Sequence, residues 1–278
     1  MHISSLGNCP STLLADIMAV DAESFRDYLE ATAAAGFDSV SLYPFHLLFA
    51  GDGATRVVKD SGLQVRAVEA AIGWTTGPSE DVTKEIDGLI ATGHDLGADI
   101  VGAACLGPID DRAAAVEGLA SIASRAAEAD MVISLEFLPW TGIPTMAAAN
   151  DLIIDGGEPN ATILLDTFHW TRQPGGPDLD LLRSLPGDRI AYVQLCEPSA
   201  APDLGLEQVE NEAMHNRRPP GAGAVDFDAI WAALDHIGSD PFVAAEVFND
   251  ELLAAGRHAM AKTVHDACRA ILPTGSPA

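Results

Sequence analysis

Ile163-Leu164-Leu165-Asp166-Thr167-Phe168-His169-Trp170 joins an apolar run to a carboxylate and, three residues on, to a histidine. A short apolar run bounded by polar residues has the length of a buried strand. A carboxylate without a partner costs several kcal/mol to bury, so one that closes such a run marks the exit of the strand into a polar site. Three other runs carry an oxygen donor at or near their ends. Val132-Ile133-Ser134-Leu135-Glu136-Phe137-Leu138-Pro139-Trp140 leaves Glu136 beside aromatic residues, Ala191-Tyr192-Val193-Gln194-Leu195 carries Gln194, and Val243-Ala244-Ala245-Glu246-Val247-Phe248 carries Glu246.

Working outward, the same kind of run recurs along the whole chain. Strands are predicted at Ile3–Leu6, Ser39–Tyr43, Gln64–Ala70, Ile100–Cys105, Val132–Phe137, Thr162–Asp166, Ile190–Leu195 and Phe242–Val247. Between them lie amphipathic stretches with one buried helical face, such as Val82, Ile86, Leu89 and Ile90, then Val116, Leu119, Ile122 and Ala126, and finally Met260, Val264, Ala267 and Ile271. Ala35-Gly36-Phe37-Asp38 and Leu96-Gly97-Ala98-Asp99 read as helix stops that lead into the next strand. Strand and helix alternating in this way give a parallel sheet, and eight repeats close it: the predicted fold is α/β, a (β/α)8 TIM barrel. One barrel domain is expected over 1–272, with a frayed Pro/Gly/Ser-rich tail over 273–278. Two connections break the rhythm, 139–144 after the fifth strand and 197–224 after the seventh, and in such a barrel these loops build the active face.

The 278 residues suit one such barrel, and 48% hydrophobic with 20% charged side chains is a globular composition. No apolar run reaches the ~18 to 20 residues that span a bilayer, and Met1-His2-Ile3-Ser4-Ser5-Leu6 has no signal-peptide pattern, so a cytoplasmic protein without membrane association is expected. Cys9, Cys105, Cys196 and Cys268 form no Cys-x-x-Cys pair, which argues against a disulfide framework or a structural zinc site. A formal charge of −26 repels polyanions and excludes nucleic acid as a natural partner.

The four oxygen donors sit on successive strands, so in a barrel they converge on the axis. Like charges crowded there are tolerable when a cation neutralises them. Glu136, Asp166, Gln194 and Glu246 are therefore expected to hold one divalent metal, and an all-oxygen set suits Mn²⁺ best, or Mg²⁺ or Co²⁺, over zinc. Within the long loop, His215-Asn216-Arg217-Arg218-Pro219-Pro220-Gly221-Ala222-Gly223 stiffens an arginine with prolines and lets the backbone turn at glycines. An arginine held there, Arg217 or Arg218, is expected to reach over the mouth and grip substrate. Trp74, Trp140, Phe168 and Trp170 lie at or just beyond strand ends, where they offer either core packing or an aromatic wall for a ligand, and Trp140 and Trp170 are the candidate contacts. Glu69 and His46 are further pocket candidates whose direction the sequence does not give.

With Glu136, Asp166-x-x-His169, Gln194, Arg217-x-x-Pro220-Gly221-x-Gly223 and Glu246 assembled, the chain resembles the sugar phosphate isomerase/epimerase superfamily, the xylose-isomerase-like barrels. The likeness implies metal ligation by Glu136, Asp166, Gln194 and Glu246, and substrate contact by His169 and Arg217. It implies a metal-dependent isomerase or epimerase of a keto-sugar or keto-polyol that works by proton abstraction beside a carbonyl through an enediolate. Glu136 and Glu246 would be the acid/base pair and His169 the group bonded to the reacting carbonyl. Two positions depart from the pattern. Gln194 stands where sugar epimerases of this kind usually carry His and looks like some bacterial 3-dehydroshikimate dehydratases, and Ser41 stands where many isomerases carry Glu. The alternative is thus a metal-dependent dehydratase of 3-dehydroshikimate or a keto-inositol, with His169 as base. A DNA-repair endonuclease on this barrel needs a His-rich metal cluster, against which eight histidines and the acidic charge both argue. A metal-free scaffold is the reading that metal analysis would separate, and self-association into a homo-oligomer stays open.

Overall fold

A computed structural model describes residues 1–199 and 204–273. Eight parallel strands close into a barrel in sequence order. They are β1 (Gly7–Asn8), β2 (Ser39–Leu42), β3 (Gln64–Ala71), β4 (Ile100–Ala104), β5 (Val132–Glu136), β6 (Ala161–Asp166), β7 (Ile190–Leu195) and β8 (Phe242–Ala245). The ring is sealed where Gly7 and Asn8 pair with Ala244 and Ala245 on one side and with Ser39 and Val40 on the other.

The first strand is displaced from its predicted place: it is Gly7–Asn8 rather than Ile3–Leu6. Ile3 and Leu6 are buried as an apolar lead-in, and the Leu6 N–H donates to the Asp38 carboxylate. Gly7 begins the ladder because its α-carbon lies against Phe242, where an added Cβ would come within 2.5 Å of the ring. Close packing, which hydrophobicity does not encode, set the register there. β8 stops at Ala245, two residues short of the prediction, although the Glu246 N–H still reaches the Leu195 carbonyl at 3.2 Å. The stretch 197–224 is not all loop: it contains the helix Leu206–His215 before returning to the barrel at Arg217 and Arg218. The expected fraying over 273–278 falls on residues that, apart from Pro273, lie outside the described ones.

Helices cover the barrel, and their ends explain part of the acidic composition. Asp21, Asp111, Asp178 and Asp226 each accept a backbone N–H at a helix N-terminus, where a negative charge also meets the positive end of the helix dipole. The main hydrophobic core lies between sheet and helices. A second, small cluster fills the barrel itself: Cys9, Ala67, Ile100, Leu164, Tyr192, Phe242 and Ala244. Strand residues alternate between the two faces, so residues two further along from this inner layer also face the axis. That step leads from Ala67 to Glu69, from Leu164 to Asp166, from Tyr192 to Gln194 and from Ala244 to Glu246, and β5 ends in phase at Glu136. Among the described residues no helix is long and apolar enough to cross a membrane.

Candidate active site

The polar layer just described crowns the C-terminal end of the strands. Asp166, the last residue of β6, is fully buried and caps the helix Thr167–Arg172, its Oδ1 accepting the N–H groups of Phe168 at 2.6 Å and His169 at 3.2 Å. This local geometry is the meaning of the Asp-x-x-His spacing: the cap starts a helix whose first turn lays His169 beside the carboxylate. His169 Nε2 lies 3.4 Å from Glu136 Oε1 and 3.9 Å from Asp166 Oδ2, and its Nδ1 is buried without a hydrogen-bond partner. Glu136 keeps 18% of its side chain exposed, so it opens toward the mouth. Glu246 Oε1 accepts from the Ser11 hydroxyl at 3.0 Å and from the Gln194 amide nitrogen at 3.1 Å, while the Gln194 Oε1 is buried and unpaired.

Arg217 corrects one expectation. It does not reach over the mouth but is 3% exposed, deep among the acids. Its Nη1 donates to Asp166 Oδ2 at 2.6 Å and to Glu246 Oε2 at 3.0 Å, its Nε donates to the Ala213 carbonyl, and the guanidinium lies 5.1 Å and 4.9 Å from the ring centres of Phe168 and Phe248. The reason is electrostatic: a guanidinium is worth more between two desolvated carboxylates than in water. Glu197 holds it there through the backbone. That buried carboxylate accepts the N–H of Gly221 at 2.8 Å and of Ala224 at 3.0 Å, and residue 197 pairs with Arg218 through both backbone bonds. Gly221 takes a φ of +99°, which a side chain would strain.

Burial pushes the Asp166 carboxyl up, but Arg217, His169 and the two capping N–H groups outweigh it and hold it below the ordinary carboxylate range. Glu246 goes the other way. Burial raises it well above that range, and Glu136, Asp166 and Glu69 raise it further against the pull of Arg217. Glu69 is pushed up to about 7 by burial and then by Glu136, while the Tyr192 hydroxyl donates to its Oε1 at 3.0 Å. Four carboxylates thus face one guanidinium, and the cluster is short of positive charge. Glu136, Asp166 and His169 each offer a ligand atom, all within 4.8 Å of one another. A divalent cation fits this set on two counts: the charge deficit, and the buried, unpaired acceptor of Gln194, whose amide nitrogen already bonds Glu246.

Of the residues expected in the site, Glu136, Asp166, His169, Gln194, Arg217 and Glu246 are brought together. Trp140 is half-buried with its ring 5.2 Å from that of His169. Trp170 is not brought in: at 2% exposure it belongs to the hydrophobic core, as do Trp74 and Phe168. His46 is likewise a packed residue, its Nε2 2.7 Å from the Ile17 carbonyl. Ser11 and Glu197 were missed altogether. The place of Glu69 could have been found by stepping two residues along β3 from Ala67.

A closed parallel barrel with carboxylates, an amide and a histidine gathered inside its C-terminal mouth defines the class: a (β/α)8 barrel with an oxygen-rich, cation-seeking site. Residues 29–271 match the model of the xylose isomerase-like TIM barrel, and the chain belongs to that family. Among curated relatives, a 3-dehydroshikimate dehydratase from Pseudomonas aeruginosa is 32% identical over 247 residues, which is 84% of this chain but 37% of the relative. An inosose isomerase from Bacillus velezensis is 27% identical over 142 residues, 50% of this chain and 48% of the relative. The chain therefore spans between about a third and a half of the length of these relatives. Among solved structures, the IolI protein with a bound zinc atom superposes with a TM-score of 0.79 at 20% identity, covering 96% of this chain and 97% of that one, a likeness of fold.

Proposed function

We propose that this chain is a divalent-metal-dependent isomerase or epimerase of an uncharged keto-sugar or keto-polyol. The observation that carries the reading is the distribution of cations. All fifteen lysines and arginines fall within the described residues, and among them only Arg217 has its charged group among the strand-end carboxylates. Arg66 packs over Phe242 and Arg189 donates to the Ala161 carbonyl, both at the opposite end of the strands, while Arg172 is bound to Glu212. Apart from the ion itself, a carboxylate substrate would find in this cluster one side-chain cation, Arg217, already engaged by Asp166 and Glu246. A polyol, which presents hydroxyls and a carbonyl, meets matched acceptors and donors.

Glu136 and Asp166 would hold the ion in the 4.8 Å cluster they form with His169, and Gln194 and Glu246, the latter bound to Arg217, are the further candidate donors, with Mn²⁺ the ion that oxygen donors prefer. Bound there, the ion would act as a Lewis acid toward a substrate carbonyl. Glu136, the open carboxylate, is placed to take a proton from carbon beside that carbonyl. Glu246, which accepts from Ser11 and Gln194, would be the group that returns one. His169 donates a hydrogen bond to the oxygen on which charge develops. Arg217 keeps Asp166 and Glu246 in position.

The dehydratase reading draws on Gln194 and on the activity named for the Pseudomonas relative. Purified protein loaded with Mn²⁺ and incubated with keto-sugars or keto-inositols in D₂O decides between them. The isomerase reading expects solvent deuterium in the substrate without a near-ultraviolet chromophore. A conjugated, absorbing product from dehydroshikimate would favour the dehydratase, and neither signal would reject both.

A further inference from the structure

The barrel mouth has two unlike halves. Strands β5 to β8 supply Glu136, Asp166, Gln194 and Glu246, and β3 adds Glu69, whereas the connections that leave β1 to β4 carry most of the exposed large hydrophobics. Five of the eight large hydrophobics that stand exposed among the described residues lie on these four connections: Met18 (63%), Leu48 (77%), Phe49 (42%), Ile72 (45%) and Leu106 (64%). The same connections, 9–21, 43–53, 72–79 and 105–111, contain no lysine or arginine.

An aromatic ladder runs from the acidic pit to this rim. Tyr43 follows the last residue of β2, and its ring stacks on Phe45 with centroids 5.2 Å apart and planes at 21°. Phe45 and Phe49, one turn apart on the helix Pro44–Ala50, lie 5.6 Å centre to centre. The inner end lies on the axis side of the mouth: Ser41 pairs with Ala67 of the barrel interior, and Tyr43 follows two residues further along the same face. Phe49, at the outer end, is 42% exposed. Exposed apolar area continuous with a site is stabilised by a ligand that covers it.

We infer that the ladder Tyr43–Phe45–Phe49, with Leu48 on the same helix, is a subsite for a planar aromatic substituent carried by the keto-sugar, so that the substrate is an uncharged keto-glycoside with an aromatic aglycone. The inference rests on the keto-polyol reading and narrows it. An anionic substituent finds no cation on this arc, and a flat ring matches the offset and edge packing that the rungs already show.

Two measurements test it. Deuterium exchange on Mn²⁺-loaded protein compares 3-keto-D-glucose with phenyl 3-keto-β-D-glucopyranoside, and calorimetry compares the unreactive D-glucose and phenyl β-D-glucopyranoside. The phenyl compounds are expected to show a KM and a dissociation constant lower by about tenfold, the ratio that ~1.4 kcal/mol of ring packing gives. Phe49→Ala should shrink both ratios severalfold, whereas Ile154→Ala, on the outer helix Met146–Gly156, should leave them as they are. Ratios near one in the wild type overturn the subsite, even where exchange on both ketoses upholds the isomerase. Absence of exchange on either ketose defeats the isomerase reading, and the calorimetric ratio then still decides the subsite. A wild-type dimer that Phe49→Asp turns into monomers, with no preference for the phenyl compounds, would make the rim a self-association face and also overturn the inference.

Discussion

Replacing Arg217 by methionine tests the electrostatic logic of the site most directly. Methionine fills much of the same volume against Phe168 and Phe248 but leaves Asp166, fully buried, and Glu246, 4% exposed, without their shared cation. Contacts of 2.6 and 3.0 Å are lost together with the Nε bond to Ala213. Removing one partner of a buried ion pair costs ~3–5 kcal/mol, because the remaining charge stays desolvated. At ~2–4 °C per kcal/mol for a domain of a few hundred residues, the melting temperature of the metal-stripped protein should fall by roughly 6–20 °C. Mn²⁺ should then stabilise the variant more than the wild type, since the ion no longer competes with a positive neighbour. A ligand at ~100 times its dissociation constant adds ~2.7 kcal/mol, which sets the scale of recovery. Thermal unfolding by circular dichroism, with chelator and with Mn²⁺, measures both effects. A loss below ~1 kcal/mol without a larger metal response would mean that the guanidinium is not the countercharge of the cluster.

Glu69→Gln should flatten the pH dependence of stability in metal-stripped protein. The folded carboxyl titrates at about 7 against an ordinary 4.5, so the native state keeps a proton that the unfolded chain has lost between these values, and stability falls as pH rises through that window. The span is worth about 3 kcal/mol at most, read from denaturant midpoints at pH 4.5 and 7.5, and a wild type with no such slope would contradict it. Glu197→Gln leaves one carbonyl oxygen to serve two N–H groups, so amide exchange at Gly221 and Ala224 should quicken by roughly 10- to 100-fold, and unchanged exchange would show that the carboxylate does not pin the loop. Glu136→Gln should lower deuterium incorporation by ~10² to 10⁴ with the fold intact, and chelation of the wild type should abolish incorporation until Mn²⁺ is restored. Full activity in either case would remove the proposed chemistry.

The strands that carry the site were legible because their signal is local. Apolar runs ending in Glu136, Asp166 or Glu246 show strand, boundary and polar exit within a few residues, and β6 and β7 end where the pattern predicted. β1 was not legible, because hydrophobicity favours Ile3–Leu6 whereas the neighbours across the closing seam put the ladder at Gly7–Asn8. Trp140 and Trp170 both follow strand ends, and only packing tells that one borders His169 and the other is core.

That eight strands alternate with helices, and that oxygen donors end up on one face, follows from the order of amino acids alone, through periodicity and the cost of burying a charge. Tertiary structure alone decided that Arg217 lies between Asp166 and Glu246, that Glu69 points into the same pit, and that Glu197 ties down the returning loop. Those contacts join residues 24 to 67 or more positions apart, and their energies depend on distance and burial, which exist only once the barrel has closed.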